Sequence, residues 1–457
     1  MKTPFSFCPG PQTRRSFLEA GSLLLGGLTL GDLLRLRAEA SAPTQSSDTA
    51  VILIWSQGGP SHLETYDLKP EAPSDYRGEM QPIATRVPGM DVCELLPLHA
   101  KVADKFTLIR SISHTFGAHA GGAGRFLSGR DPIRPDDPIS QFPTFPTMVA
   151  KVREGRSAGI PNYIASANRV YGGGSSYLGD SCLPFVVAQD PNAANFQVPN
   201  LSLNASLQNR LDDRLKLLNS FDRMRRDLDL SGSATAMDQF NSRAFNLLTS
   251  DKARNAFNLS LEDEATRNRY GRHKWGQRAL LARRLVEAGS SMVTMQMQNP
   301  GLPGTIGNWD IHAVNGHLFD DTKARLPVFD QAVSALIEDL YARGLDKRVM
   351  LIVSGEFGRS PRINPQRGTR SGSMQPGRDH WPGAMSVLVS GGGMRMGQVI
   401  GATTAKGEYA KDRKLDPNDL LATIYRFLGI PAHASFPDHS GRPMPILPYG
   451  EPIAELS

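Results

Sequence analysis

The sequence predicts an α/β fold in which a mostly parallel β-sheet is sandwiched between helices. Strand-like apolar runs alternate with amphipathic helix patterns over most of the 457 residues, and this alternation favours a parallel sheet covered by helices. The first run, residues 51–56, is continuously apolar from Val51 to Trp55, which is typical of a strand buried on both faces. The other predicted strands are 106–110, 162–166, 184–188, 292–296, 349–354 and 385–389.

Helix patterns fill most of the intervals between these strands. The last one begins with Asp416 as a plausible N-cap and Pro417 at the first helical position, which are favoured residues there. Residues 200–270 are polar and have no strand pattern, so we interpret them as a helical insertion or cap on one α/β domain spanning residues 50–450. The predicted helices are 205–228, 236–250, 272–288, 322–343 and 416–428.

The first forty residues have the pattern of an export signal. A twin-arginine motif at 13–18 precedes a weakly apolar run at 20–34, and Ala-Glu-Ala at 38–40 offers a small-x-small cleavage site. This order predicts a twin-arginine signal peptide at 1–40, recognised by the Tat export machinery, followed by a flexible lead-in at 41–49. The protein is therefore expected in the periplasm or outside the cell, with no stable membrane span after signal removal.

Charge and cysteine content exclude several classes of protein. The formal net charge is +6, and the predicted signal contributes five basic and three acidic residues, which leaves about +4. No zinc-finger spacing or dense basic tract is present, so a nucleic-acid partner is not expected. Cys93 and Cys182 either form one disulfide or are buried thiols. The absence of a CxxC motif argues against thiol redox chemistry.

Histidines and carboxylates concentrate in the loops at the strand ends. Because ligands in parallel α/β sheets bind beyond the carboxyl ends of the strands, these loops are expected to converge on one cleft. Neutral imidazole and carboxylate together suit zinc, manganese or iron, and carboxylates extend the range to calcium or magnesium. The residues concerned are His62, Glu64, Asp67, His114, His119, Asp310, His312, Glu356, Asp379 and His380.

Each of these residues also has a purely structural interpretation. His62 is either a ligand or a hydrogen-bonding loop residue, and Asp67 either a ligand or part of a turn. Arg359 either pairs with Glu356 or holds an anionic substrate. Asp379 either orients His380 or caps a turn.

Several of these segments, taken in order, resemble one bacterial family. Together with the leader, they are similar to the exported domain-of-unknown-function 1501 (DUF1501) family, which is grouped with the alkaline phosphatase and sulfatase superfamily. The resemblance implies an alkaline-phosphatase-like fold whose strand-end Asp and His residues hold one or two metal ions. The segments are 58–67 with Lys69 and Pro70, 309–312, 354–359 and 377–382.

The sequence departs from the superfamily at its catalytic positions. Residues 126–132 resemble the stretch that follows the sulfatase nucleophile, and the spacing places that nucleophile at His119. The superfamily's Asp-His-Gly appears here as Glu356-Phe357-Gly358, and Gln57-Gly58 stands where an Asp pair is expected. Because no Cys-x-Pro-x-Arg motif is present, formylglycine chemistry is not expected.

Two functions are consistent with this resemblance. The first is a metal-dependent hydrolase of small-molecule or polysaccharide phosphate or sulfate esters, with zinc as the first choice and calcium, manganese or iron as alternatives. The second is a degenerate superfamily member that binds a metal, an anionic glycan or an envelope protein. In the hydrolase, His114 and His119 would be ligands, acid–base groups or nucleophile, and Arg125, Arg130 or Arg359 would hold the anion. The expected metal ligands are His62, Glu64, Asp67, Asp310, His312, Glu356 and His380.

Overall fold

The structure is a computed structural model that describes residues 48–156, 159–198 and 250–457. The predicted signal at 1–40, most of the lead-in and the helix patterns at 205–228 and 236–250, except for residue 250, lie outside the described residues. The strands are β1 (Ala50–Trp55), β2 (Pro82–Ala84), β3 (Asp91–Cys93), β4 (Phe106–Ile112), β5 (Tyr163–Ser166), β6 (Phe185–Val187), β7 (Met292–Gln296), β8 (Val349–Ser354), β9 (Gly358–Arg359), β10 (Gln366–Arg367), β11 (Met374–Gln375), β12 (His380–Trp381), β13 (Met385–Gly391), β14 (Gln398–Ile400), β15 (Ala402–Thr403), β16 (Ala410–Asp412), β17 (Ser435–Pro437) and β18 (Pro443–Pro445).

Eight of these strands form one central sheet in the order β14-β4-β13-β8-β1-β7-β5-β6. Strand β13 runs antiparallel to both of its neighbours, and all other pairings in the sheet are parallel. The amino end of β13 therefore lies at the same edge as the carboxyl ends of the seven parallel strands. All seven predicted strands are confirmed, and β14 is a strand that the sequence pattern did not predict.

Helices cover both faces of the sheet, as the apolar strands require. Alternate side chains of β1 enter two separate cores: Ile52 and Ile54 pack in one with Trp275, whereas Val51 and Leu53 pack in the other, because successive strand side chains point to opposite faces. The helices are α1 (Ser74–Arg77), α2 (Pro97–Lys101), α3 (His119–Ser128), α4 (Phe145–Val152), α5 (Asp251–Phe257), α6 (Glu264–Tyr270), α7 (Lys274–Glu287), α8 (Leu318–Ala342) and α9 (Pro417–Phe427).

The helix predictions at 272–288, 322–343 and 416–428 are confirmed by α7, α8 and α9. Helix α9 begins with the expected Asp416 cap, whose side chain accepts from the Asn418 amide. Within the predicted insertion, the described part contains α5 and α6. Among the described residues, no helix has the length and apolar character needed to cross a membrane.

Helix α3 differs from the sequence expectation, which placed His119 in a strand-end loop. Its glycines, among them Gly121 and Gly122, disfavour a helix in isolation, but they allow close tertiary packing. A Cβ on Gly122 would lie 3.0 Å from the Phe357 ring, and one on Gly121 would lie 3.0 Å from the Pro135 carbonyl oxygen. The missing side chains at these two positions therefore let α3 pack closely against Phe357 and Pro135.

The two cysteines of the described residues are both buried and free. This agrees with the buried-thiol alternative and not with a disulfide. Burial raises the pKa of the Cys93 thiol to about 12, so this thiol stays protonated near neutral pH.

Candidate metal centre

Five chemically active side chains meet at the edge formed by the strand carboxyl ends. Asp310 and His312 lie in the loop after β7, and Glu356 lies two residues after β8. His119 is the first residue of α3, which follows β4, and His380 begins β12, just before β13. Because β13 is antiparallel, a residue preceding it reaches the same edge as residues that follow the parallel strands.

The paired glycines after β1 bring the backbone of this loop against the site. Gly58 and Gly59 have φ of +106° and +78°, and residues other than glycine rarely adopt this backbone conformation. A Cβ on Gly58 would lie 2.4 Å from the Asp310 amide nitrogen. The Gly58 amide donates to Glu356 Oε1 at 2.8 Å. The turn thus holds Asp310 and Glu356 side by side.

Three imidazoles surround the carboxylate of Asp310. Nε2 of His312 and Nε2 of His380 each lie 2.9 Å from Asp310 Oδ1, and these two nitrogens are 3.0 Å apart. Nε2 of His119 lies 3.3 Å from Asp310 Oδ2. His119, Asp310 and His380 each offer a ligand atom within 4.8 Å of the other two.

The opposite ring nitrogen of each imidazole faces an oxygen acceptor. A carbonyl or ionised carboxylate can only accept a hydrogen bond, so we assign an N–H to each Nδ1. Each Nε2 then either shares a proton with Asp310 or, once that proton has left, offers its lone pair to a cation. The Nδ1 contacts are His119 with Glu356 Oε1 (2.7 Å), His312 with Asp379 Oδ1 (2.9 Å) and His380 with the Gly117 carbonyl oxygen (2.7 Å).

In the absence of a cation, the short contacts between Asp310 and the imidazoles shift the pKa values of these groups. Burial lowers the pKa of His119, but its hydrogen bonds with Asp310 and Glu356 outweigh this and raise it to about 9. The hydrogen bond with Asp310 raises the pKa of His312 against the effect of burial. Burial is likewise outweighed at Asp310, whose pKa is lowered by the surrounding imidazoles. Protons then lie between the imidazoles and the carboxylate, in the place that a cation would take.

The donor set fits a divalent transition metal or zinc. Three imidazole nitrogens and one carboxylate are ligands that zinc, manganese and iron accept. Zinc–nitrogen distances of about 2.0–2.1 Å place tetrahedral ligand atoms about 3.3–3.4 Å apart, close to the spacings of 2.9–3.3 Å around Asp310. Glu356 is 1% exposed, and its Oε2 has no hydrogen-bond partner. This buried oxygen adds negative charge beside the imidazoles.

Arg359 lies beside the cluster, and its guanidinium makes hydrogen bonds with other groups of the protein. Nε donates to the Gly59 carbonyl at 3.0 Å, Nη1 donates to the Arg378 carbonyl at 3.1 Å, and Nη2 contacts Asp310. The side chain is 2% exposed. Arg359 therefore joins the loops after β1 and β8 and orients the Asp310 carboxylate.

His114 lies next to the cluster with both ring nitrogens bound to backbone. Nε2 donates to the Glu356 carbonyl at 2.6 Å, and Nδ1 accepts from the Phe116 amide at 3.2 Å. Burial lowers the pKa of His114 to about 4, so its ring is neutral near neutral pH. These contacts fix the two loops that carry His119 and Glu356.

The three candidate ligands after β1 have partners away from Asp310. His62 Nε2 donates to the Gly407 carbonyl at 2.9 Å. Glu64 is 1% exposed and lies in a buried ion pair with Arg378, whose Nη2 is 2.7 Å from Oε1. Asp67 Oδ1 lies 2.9 Å from Lys69 Nζ.

Asp379 contacts a different histidine from the one that the sequence pattern suggested. It was expected to orient His380 or to cap a turn, whereas it lies against His312. Asn364, which donates to Asp379 Oδ2 at 2.9 Å, was not singled out, because a lone asparagine in a loop gives no signal of its role.

Family comparison agrees with the resemblance seen in the motifs. The family model described as "Protein of unknown function (DUF1501)" matches residues 48–457, and the chain belongs to the DUF1501 family. Among curated protein sequences, none matches the chain.

Several solved structures are remotely similar to the chain. They include the lipoteichoic acid synthase LtaP from Listeria monocytogenes, with 9% identity over 87% of this chain and 78% of that one, TM-score 0.33. The PsFucS1 sulfatase from Pseudoalteromonas sp. has 11% identity over 87% and 70%, TM-score 0.34. The alkaline phosphatase from the Antarctic bacterium TAB5 has 12% identity over 78% and 95%, TM-score 0.31.

Proposed function

We propose that the chain is an exported, metal-dependent hydrolase of phosphate or sulfate esters. The metal, with zinc as the first choice, is held by Asp310, His119 and His380, and His312 supplies a further nitrogen. One observation carries the proposal: three imidazoles direct Nε2 toward one carboxylate while acceptor oxygens hold each Nδ1.

The proposed metal ligands suit a catalytic metal site as well as a structural one. A bound divalent ion polarises an ester oxygen and lowers the pKa of a bound water. The side chains of His119 and His380 are each 25% exposed, and that of Asp310 is 17% exposed. The centre is therefore open to solutes, as an ester hydrolase requires. Glu356 holds the His119 ring in the orientation that presents Nε2 to the ion.

Helix α3 supports an anionic substrate at this position. His119 is its first residue, and its N-cap residue, Ala118, provides no side-chain hydrogen bond. A helix N-terminus presents amide N–H groups and a partial positive charge, both of which favour phosphate or sulfate. Arg359 and His114 support the site by holding its loops rather than by contacting the ester.

The place of action follows from the N-terminal pattern. The twin-arginine motif at 13–18, the apolar run and the small-x-small site support export by the Tat route to the periplasm or beyond. Small-molecule or polysaccharide esters would be accessible there.

Ester turnover tests the proposal directly. Purified protein is loaded with zinc, manganese, iron or calcium and assayed on p-nitrophenyl phosphate, p-nitrophenyl sulfate and phosphorylated or sulfated sugars. We expect turnover with one of the metals, its loss on chelation and in Asp310→Asn, and its retention in the control Asp320→Asn, which changes an exposed carboxylate beside His317. Full activity in metal-free protein would refute the proposal.

A binding protein is the second candidate function. The cluster consists of Asp310, Glu356 and three histidines. It therefore contains no serine, threonine or cysteine that could act as the superfamily nucleophile. Stoichiometric metal without turnover on any ester would favour this function.

A further inference from the structure

Asp379 is anchored more firmly than a surface carboxylate needs to be. Its amide donates to Ser360 Oγ at 2.9 Å, and its carbonyl accepts from the Ser360 amide at 2.8 Å. Asn364 Nδ2 donates to Oδ2 at 2.9 Å, and the Asn364 amide donates to the Gly377 carbonyl at 2.9 Å. The side chain is nevertheless 46% exposed, so burial does not explain this anchoring.

The two carboxylate oxygens of Asp379 have different partners. Oδ2 is taken by Asn364, and Oδ1 lies 2.9 Å from His312 Nδ1. The opposite nitrogen of the His312 ring lies 2.9 Å from Asp310 and 3.0 Å from His380 Nε2. The loops at 360–364 and 377–379 therefore orient the ring whose Nε2 reaches the cluster.

We propose that Asp379 is a positioning residue that fixes the tautomer and orientation of His312, and so presents Nε2 of His312 as a ligand to the metal centre. This inference rests on the proposed metal centre for its metal-binding consequence. Asp379 acts through His312 and does not itself contact the ion. Carboxylates behind a metal-bound histidine hold the ring in this way and increase its basicity.

Removal of Asp379 has a defined structural consequence. Without an acceptor at Nδ1, the ring can rotate, and the tautomer with its proton on Nε2 becomes populated. That neutral tautomer has its lone pair on Nδ1, away from Asp310 and His380, so Nε2 could bind a metal only after the proton had moved to Nδ1. Metal affinity should therefore fall although Asp310, His119 and His380 are unchanged.

The experiment compares Asp379→Ala with Asp320→Ala by zinc competition against a chromophoric chelator. Asp320 is a matched control, because it also lies beside a histidine, with Oδ2 3.4 Å from His317 Nδ1, and is 68% exposed. We expect zinc affinity to fall by about 10–100-fold in Asp379→Ala, the usual cost of removing such a partner, and to stay within about twofold of wild type in Asp320→Ala.

A second readout monitors His312 itself. In metal-free protein, the Nδ1–H bonded to Asp379 should give a low-field ¹H resonance in a ¹⁵N-histidine spectrum, assigned by its loss in His312→Gln. We expect the resonance to disappear in Asp379→Ala and to persist in Asp320→Ala. A general loss of structure would instead shift the resonances of all histidines.

A charge swap keeps the test valid if Asp379→Ala folds poorly. In Asp379→Asn, an amide faces the Asn364 amide, whereas Asp379→Asn with Asn364→Asp restores an acceptor toward His312 and a donor toward residue 364. We expect the double variant to recover the His312 resonance and at least part of the zinc affinity.

The outcomes separate this inference from the proposed function. Wild-type zinc affinity together with an unchanged His312 resonance in Asp379→Ala would overturn the positioning role. If wild-type protein binds no zinc, the proposed metal centre fails. The resonance in metal-free protein then still decides whether Asp379 holds His312, and the role in metal presentation is overturned with the centre.

Discussion

The loops after β1 and β7 both contain histidine and carboxylate side chains, but these side chains have different partners in the structure. The first has His62, Glu64 and Asp67, and the second has Asp310 and His312. Glu64 and Asp67 pair with arginine or lysine, whereas Asp310 is surrounded by three imidazoles in addition to Arg359. Arginine and lysine keep their protons at neutral pH, but an imidazole can exchange its proton for a metal ion. The difference between the two loops is therefore the set of exchangeable imidazoles around Asp310, and not the presence of a cationic side chain.

The largest expected effect is at Asp310. Asp310→Asn keeps the shape of the side chain but removes the anion on which three imidazoles converge. We expect bound metal to fall from one or more ions per chain to background, because the variant removes both a ligand oxygen and the negative charge that all three imidazoles face. Elemental analysis of wild type and variant measures this. Undiminished metal in Asp310→Asn would show that the cluster is not the site.

The converse result is expected for Glu64. Glu64→Gln leaves Arg378 buried without a counter-charge, and breaking a buried ion pair typically costs about 3–5 kcal/mol. Denaturant unfolding should show this loss, while metal content per folded chain remains at the wild-type value. Loss of metal from folded Glu64→Gln would place Glu64 in the metal site and remove the contrast between the loops.

A smaller effect is expected for Asp67, and it should depend on pH. Burial raises the pKa of Asp67, but Lys69 and Arg110 outweigh this and lower it below the ordinary value of 3.8. A carboxyl group with a lowered folded-state pKa contributes stability above its unfolded pKa and loses it as the pH falls through the folded value. We expect Asp67→Asn to cost about 1.5–3 kcal/mol at pH 7.

Urea unfolding between pH 7 and pH 2.5 measures this dependence. The difference between wild type and Asp67→Asn should be largest above about pH 5 and shrink below about pH 4. A difference that is independent of pH would show that the ion pairs of Asp67 do not stabilise the fold.

The smallest expected effect is at His114, a residue that the sequence suggested as catalytic. Both its ring nitrogens bind backbone, so His114→Gln should cost about 1 kcal/mol of stability and leave metal content unchanged. Loss of metal with little loss of stability would show that His114 belongs to the centre.

The sequence determined the layers of the fold and the edge at which the cluster lies. Apolar runs such as 51–56 and 349–354 predict strands buried on both faces, and helix periodicity predicts α7, α8 and α9, because these patterns depend on local residue spacing. Placing His and carboxylate residues at strand ends predicted that Asp310, His312, Glu356 and His380 lie near one another. The same reasoning also placed His62, Glu64 and Asp67 with them, although these three have other partners.

Tertiary structure decided the partner of each of these side chains. Glu64 lies against Arg378, and Asp379 lies against His312, across 314 and 67 positions of sequence. Helix α3 likewise depends on close contacts between its glycines and Phe357 and Pro135. Local spacing cannot specify such pairs, because they form only when separate loops meet at one edge of the sheet. The sequence therefore determined which residues could bind a cation, and the fold decided which carboxylate lies among exchangeable imidazoles.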